Sequence, residues 1–150
     1  MTSDFSFQLL NKNDIALVVP MICELSSFKV SEELLLQRMS EMINQNYQCA
    51  VILSGEQIIG VCGMWFCTRH YSGKSMEIDH VFIKSEYRNQ GLGKRFMNWV
   101  YDYAESLGIE AIELNTYLKN KPSHRFYENE GFKALAYHFV KSLKGNWPGE

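Results

Sequence analysis

Between Val81 and Lys94 an apolar strand pattern ends, a short polar stretch follows, and Gly91 and Gly93 open a helical pattern. Glycine lacks Cβ, so the chain can turn tightly there and bring its backbone close to a ligand. A helix that begins at such a turn leaves its first N–H groups without intrahelical partners, and its dipole makes that end positive. Arg88 and Lys94 add full positive charge at the same place. Residues of these types in this order suit an anion such as a pyrophosphate. An ordinary strand-to-helix turn would use the same glycines.

Two better-defined phosphate motifs do not fit. The GxxxxGK loop requires glycine where this chain has Arg88. The GxGxxG dinucleotide fingerprint requires a third glycine for close helix–strand packing, and Phe96 stands there. Glu113 lies 20 residues past Gly93, near where a ribose-binding acid would sit, but hairpin strands precede the turn instead of repeated βαβ crossovers.

Upstream of the turn, Glu77 and Asp79 lie on the strand that leads into it. Two-residue alternation puts them on one face with Val81 and Ile83, and His80 on the other. A carboxylate so placed can take a proton from an ammonium group, directly or through water. It can equally be a solvated acid. Downstream, Tyr127 follows Phe126 on a short helical pattern, where its ring can pack against its neighbour.

Several elements must position these groups. Phe5 to Leu10 alternates as an opening strand. Asn13 or Asp14 is the expected cap of a helix with Val18, Met21, Ile22 and Leu25 on one face, kinked or restarted at Pro20. Ser31 caps a second helix, with Glu32 and Glu33 at its positive end and Leu35, Met39, Met42 and Ile43 as its stripe. Tyr47–Leu53 and Gln57–Thr68 form a hairpin through Ser54-Gly55-Glu56. Gly60 and Gly63 inside its second arm point to a bulge or a close backbone approach. A turn at Ser72-Gly73 leads into the strand Met76–Ile83. The long helix Gly91–Leu107 buries Phe96, Val100, Tyr103, Ala104 and Leu107, and Gly108 stops it. A strand Ala111–Thr116, a short helix Pro122–Glu130 and a final strand Tyr137–Leu143 complete a mixed α/β layer fold of order β-α-α-β-β-β-α-β-α-β. Residues 144–150 have no periodicity and are expected to be loose.

Arg88-Asn89-Gln90-Gly91-Leu92-Gly93 matches an R/Q-x-x-G-x-G/A signature set after a strand and before a long helix. Asn120-Lys121-Pro122-Ser123-His124-Arg125-Phe126-Tyr127-Glu128-Asn129-Glu130-Gly131-Phe132 matches a second segment, N-x-x-A/S-x-x-x-Y-x-x-x-G-F. With both motifs at the required spacing, the chain resembles the GNAT superfamily of acetyl-CoA-dependent N-acetyltransferases. The resemblance covers essentially the whole chain, the two N-terminal helices matching only in general pattern.

That resemblance implies one N-acetyltransferase domain over residues 1–150, of α/β (α+β layered) class. It implies the GNAT fold, a mixed, mostly antiparallel central sheet splayed between its fourth and fifth strands, with helices on both faces. The pyrophosphate of acetyl-CoA would lie on Arg88, Asn89, Gln90, Gly91, Leu92, Gly93 and Lys94. The pantetheine arm would pair like an extra strand with the backbone of Val81, Phe82 and Ile83. Asn115, Asn120 and Ser123 stand at the family's polar contacts on the far wall, although Asn120 also reads as a turn residue. Tyr127 falls on the tyrosine that protonates the departing thiolate. Glu77 matches the acid of the histone-type branch and Asp79 that of the polyamine-type branch. Asp79 is preferred as proton acceptor because it is nearer to Val81 and Ile83. Pro122-Ser123 stands where the family usually has an alanine at the second position, and the polyamine branch shares this Pro-Ser, which leans toward small amines. The expected acceptor walls are Phe28, Trp65 and Tyr117, with Lys29, Arg69, His70 and Tyr71 in the same unpatterned segments. No metal is implied.

Composition narrows the partners. A chain of 150 residues with 46% hydrophobic and 21% charged residues has the size and make-up of one globular domain. A net charge of -2, from 15 basic and 17 acidic residues, gives no basic footprint for nucleic acid. Ile15 to Cys23, interrupted by Pro20, is too short to span a bilayer, and Met1-Thr2-Ser3-Asp4 does not open a secretory signal. Cys23, Cys49, Cys62 and Cys67 form no CxxC pair and have no His at ligand spacing. Cys49, Cys62 and Cys67 lie in apolar runs, as small hydrophobes do. The expectation is therefore a cytoplasmic transferase acting on a small-molecule amine or a peptide, with neither nucleic acid nor membrane as partner. The resemblance adds a homodimer, as in many members. Its rivals are a protein or peptide N-terminal or lysine acetyltransferase, and an acyl-CoA-binding regulator without turnover.

Overall fold

The computed structural model describes residues 4–145. The backbone clusters into two compact units, Met1–Glu113 and Leu114–Glu150. In the first, β1 (Phe5–Leu9), β2 (Tyr47–Ser54), β3 (Gln57–Arg69), β4 (Gly73–Ile83) and β5 (Ala111–Leu114, ending at the boundary) lie side by side in chain order. The first four pair antiparallel, and β5 runs parallel to β4. Glu110 N–H donates to Lys74 O at 2.8 Å, and the Glu110 carboxylate accepts the Lys74 N–H at 2.8 Å. β5 thus starts beside the start of β4. With 4 residues against 11, it ends before β4 does. Val81–Ile83 run on past it, which leaves the sheet splayed on that side of β4.

Alternation of side chains assigns each face of the sheet to its own helices. Tyr47, Cys49 and Val51 of β2, with Val61 and Phe82, are buried in one cluster with Ile15, Val18, Met21, Ile22, Leu35 and Met39. That face lies under α1 (Val19–Leu25) and α2 (Glu32–Met42). The other face carries Ala50, Ile52, Cys62, Met64, Met76 and Ile78, all buried. It is covered by α3 (Leu92–Ser106), whose Phe96 stacks on Phe7 with centroids 5.7 Å apart. The Tyr103 hydroxyl donates to Gln48 Oε1 on the same side. Burial of a ring such as Phe96 contributes about 1.5–3 kcal/mol. α3 buries Leu92, Phe96, Met97, Val100 and Ala104. Leu107, expected in that stripe, is its C-cap and is 44% exposed.

The decisive irregularity lies in β4. Met64 pairs with Ile78, but Cys62 pairs with Val81. β4 therefore holds one residue more than β3 here, a bulge at Asp79–His80 that reverses the alternation. Glu77, opposite Trp65, faces α1 and α2, whereas Val81, opposite Cys62, faces α3. The expected common face of Glu77 and Asp79 with Val81 and Ile83 does not exist. Nor does His80 point away from Asp79. Trp65 Nε1–H donates to Asp79 Oδ2 at 3.0 Å, and the Tyr47 hydroxyl lies 2.6 Å from His80 Nε2, both on the α1/α2 side. Gly63 makes this possible, because a Cβ there would collide with the His80 imidazole. Gly60 likewise sits at a register shift and would bring a Cβ within 2.6 Å of Ile52 Cδ1.

The N-terminal helices start differently from expectation. Residues Lys12–Val18 form a 3-10 helix capped by Asn11, whose side chain accepts the Asn13 N–H at 2.9 Å, so neither Asn13 nor Asp14 is the cap. Pro20 falls in the first turn of α1, where its missing N–H is harmless, and it restarts the helix. Ser31 caps α2 by accepting the Leu34 N–H at 3.2 Å. Cys67 is exposed at the far end of β3, unlike buried Cys49 and Cys62.

The second unit holds α4 (Lys121–Asn129), followed by residues 132–145 without helix or strand. The expected strand Tyr137–Leu143 is not formed, and residues 133–142 carry no helix or strand. Leu135, Tyr137 and Phe139 are 87%, 79% and 90% exposed. Alternation makes a strand only where a neighbour supplies ladder hydrogen bonds, and none pairs with it among the described residues. Residues 146–150 of the expected loose tail lie outside the described residues.

Gly63→Ala should overpack the bulge and destabilise the chain by about 1–3 kcal/mol. Urea unfolding checks this. A midpoint equal to that of the parent chain would mean that His80 does not fill the space over Gly63.

Candidate active site

The turn after β4 is built on two left-handed residues. Asn89 and Gly91 both have left-handed φ, 62° and 74°. Gly91 is the N-cap of α3, and the first amide closed within the helix is that of Arg95, on Gly91 O at 3.3 Å. A side chain at 91 would meet no atom within 4 Å, so glycine is required there by φ and not by space. The N–H groups of Leu92 and Gly93 thus belong to the helix end that lacks intrahelical acceptors. Arg88 is anchored backward. Its Nε–H donates to Ile83 O at 2.7 Å and its guanidinium lies 5.0 Å from the Phe82 ring centroid. Gln90 and Asn89 are exposed beside it. The turn offers oriented N–H donors and cationic charge, a set that fits a pyrophosphate.

Next to the bulge lies an open groove of about 600 Å³, lined by Gln45, Asn46, Trp65, Phe66, Cys67 and Glu77. Aromatic walls with an acid on one side suit an organic amine. Asp79 is exposed on the same face as Glu77 and bonded to Trp65. Arg69 and Tyr71, further along, are engaged with β5. Arg69 Nε lies 2.6 Å from Glu113 Oε2, and the Tyr71 hydroxyl donates to Glu113 Oε1 at 2.9 Å. Phe28 sits in the α1–α2 connection, 70% exposed, with φ of 61° directly after Ser27 at 56°. Two successive left-handed non-glycine residues are strained. They are held by Phe28 N–H on Cys23 O at 2.9 Å and Ser27 N–H on Glu24 O at 2.9 Å. Phe28, Trp65, Glu77 and Asp79 all belong to the first unit.

Burial keeps the interior of this region uncharged. It pushes the Tyr47 hydroxyl far above its ordinary range and the Cys49 thiol up to about 12. The Cys62 thiol rises for the same reason. Burial also holds the His80 imidazole below its ordinary value, against the opposing pull of Asp79. Its Nδ1 is enclosed without a hydrogen-bond partner.

In the second unit, Asn120 is the N-cap of α4, its side chain accepting the Ser123 N–H at 3.2 Å. Tyr127 packs edge-on to Phe126 and Phe132, at 5.1 and 5.6 Å between centroids. Phe132 N–H closes the helix end on Tyr127 O at 2.9 Å. Tyr117 is 61% exposed and its carbonyl lies 2.9 Å from His124 Nε2. Asn115 follows directly on β5. Among the described residues no cluster of His, Cys, Asp or Glu is placed to hold a metal ion, and no helix is long and apolar enough to cross a membrane.

The sequence reading missed Tyr47, His80, Gln45 and Asn46 around the bulge. Tyr47 reads as a strand start and His80 as a residue of the wrong face. Only the two glycines of β3 carried a signal, and Gly63 in particular marks where another side chain must enter.

Residues 20–132 match the sequence profile of the acetyltransferase (GNAT) family. The chain is 25% identical over 128 residues to an aminoalkylphosphonate N-acetyltransferase of Salmonella typhimurium, covering 84% of this chain and 83% of that one. It is 26% identical over 138 residues to the uncharacterized N-acetyltransferase YhdJ of Bacillus subtilis, covering 91% and 96%. The aminoglycoside N-acetyltransferase AAC(6')-Iy in complex with CoA shares the fold, with a TM-score of 0.81 at 14% identity over 95% of this chain and 97% of that one.

Because folding holds His80 below 6.5, the unfolded chain binds its proton more readily. Stability from this group is complete above about 6.5 and is lost as pH falls from there toward the folded value. Thermal melts from pH 8 to pH 5 should show this decline, and His80→Gln should flatten it. An unchanged slope in the variant would assign the decline to other groups.

Proposed function

Because the chain belongs to the acetyltransferase (GNAT) family, we propose that it moves the acetyl group of acetyl-CoA to the primary amine of a small molecule. Transfer is direct, with both substrates bound, in one domain over residues 1–150. The family profile runs from 20 to 132, across the boundary between the two units, which supports a single working domain.

One observation carries the reading. β4 emerges from its bulge, loses β5 as a neighbour, ends three residues later at Ile83, and leads through one 3-10 turn (Ser85–Tyr87) into the left-handed Asn89 and Gly91 that open a 15-residue helix. Val81–Ile83 can then lend their backbone to the amides of a pantetheine arm, and Leu92 and Gly93 their N–H groups, with the Lys94 charge beside them, to its pyrophosphate. At the bulge an N–H is withdrawn from the β3 ladder, and such a donor suits the developing negative charge on a thioester oxygen.

Asp79 takes a proton from the acceptor ammonium, and the freed lone pair attacks the thioester carbonyl carbon. The carbon–sulfur bond breaks, Tyr127 gives its proton to sulfur, and the second proton shed by the new amide nitrogen passes through solvent to restore the Tyr127 hydroxyl. Asp79 is favoured over Glu77 because it lies in the bulge itself, whereas Glu77 lies two residues before it on the wall of the groove. Phe28, Trp65 and Tyr117 provide aromatic surface for the acceptor. Asn115, Asn120 and Ser123 are assigned to polar contacts with acetyl-CoA by their match to the family motif, and Asn120 also caps α4. A small amine is supported by the modest groove and by relatives named for aminoalkylphosphonate and aminoglycoside acetylation.

The test is thiol release from acetyl-CoA over a panel of small amines and peptides, beside CoA-dependent melting. CoA at a hundred times its dissociation constant should stabilise the chain by about 2.7 kcal/mol. Gly91→Val should abolish that shift, and Tyr127→Phe should keep it while turnover falls at least about tenfold. Binding without thiol release from any acceptor would favour a regulator, and release only with peptides would overturn the small-molecule reading.

A further inference from the structure

Four side chains close a ring around the β4 bulge. Trp65 Nε1–H donates to Asp79 Oδ2 at 3.0 Å. The Trp65 ring packs against Tyr47, with centroids 5.0 Å apart and planes at 53°. The Tyr47 hydroxyl lies 2.6 Å from His80 Nε2, and His80 follows Asp79 in the chain. We propose that Trp65 and the Tyr47–His80 pair are positioning residues that hold the Asp79 carboxylate ready to accept the proton of the acceptor amine. This inference rests on the acetyl-transfer reading and adds to it the residues through which Asp79 is controlled.

Asp79 is exposed and would otherwise turn freely about its two side-chain bonds. The indole N–H fixes Oδ2 and leaves Oδ1 as the atom that takes the proton. The indole is itself fixed, since Trp65 and Tyr47 are direct cross-strand partners and Tyr47 is 2% exposed. On the other side, His80 fills the space over Gly63, so the bulge residue next to Asp79 cannot swing. A role in packing alone does not explain this choice of residues. Apolar side chains would fill the same volume without burying a hydroxyl and an imidazole whose Nδ1 has no hydrogen-bond partner. The thiol on this face from β2 is that of Cys49, which burial keeps protonated, and Glu77 stands opposite Trp65 on β4 outside the ring. Cys23 of α1 belongs to the same buried cluster. Asp79 is thus the charged group of the ring.

Trp65→Phe keeps the aromatic packing and removes only the donor, and Tyr47→Phe removes only the hydroxyl on His80. Each should lower kcat about tenfold, with KM for acetyl-CoA unchanged, because misplacement of a reacting group by a fraction of an ångström is felt in the rate. Asp79→Asn removes the proton acceptor, so neither aromatic change should lower kcat further in that background. Such complete non-additivity is the signature of action through one residue. Equal losses with and without Asp79→Asn, or no loss from Trp65→Phe, would overturn the inference while leaving acetyl transfer standing. Absence of turnover in the parent chain with every amine would sink the proposed function and this inference together. A chain that merely lost packing would show lower melting temperature in both variants with additive kinetics, and that result also counts against positioning.

Discussion

Between Ile78 and Val81, β4 carries one residue that β3 cannot match, and the side chains beyond that point change faces. Before the bulge, Glu77 looks toward α1, α2 and the groove. After it, Phe82 joins the α1/α2 core while Val81 faces α3. The bulge lets one strand serve two environments, an acid-bearing wall on one stretch and a free backbone edge on the next. A regular strand would have kept all of these residues on one alternation and left no N–H outside the ladder.

The bulge needs supports that lie far away in sequence. Gly63 gives up its side chain so that His80 can enter, and Tyr47 meets His80 from β2, 33 residues earlier in the chain. An unpartnered polar group in an apolar cluster loses about 1–3 kcal/mol, a cost that the Tyr47–His80 contact removes at Nε2 and leaves at Nδ1. At the other end of β4, Glu110 secures the first residues of the strand to the segment before β5. β4 is therefore fixed at its start and at its middle, and its last residues pair with β3 alone, their other edge running past β5. That distribution of order suits a strand meant to receive a ligand at its end.

Much of the fold was legible because its signals are local. The Ser31 cap, the stripe of α3, Gly108 as its stop and the glycine turn at Gly91 each depend on residues within one or two turns of each other. The motif at Asn120–Phe132 was likewise readable, and the cap formed by Asn120 shows that its first residue also has a local task. What failed depends on partners. The bulge reverses alternation only because β3 and β4 slip against each other, and no property of Glu77 or Asp79 alone announces this. Tyr137–Leu143 has strand-like alternation but no described neighbour to pair with. Leu107 fits the helical stripe but falls on the C-cap, where the turn has already left the core. For the site, residue types marked the strand and the turn, while the ring of Tyr47, Trp65, His80 and Asp79 emerged only from the pairing of three strands.

The central claim is that the end of β4 and the start of α3 together receive an acyl-CoA. Amide ¹H–¹⁵N spectra during a titration with CoA test it most directly, since they report on each backbone N–H in turn. The amides of Val81 to Ile83 and of Gly91 to Lys94 should shift together, with one dissociation constant. Shifts confined to the separate apolar cavity between β1 and α2, at Leu10, Ile15 and Cys49, with the glycine turn unmoved, would contradict it.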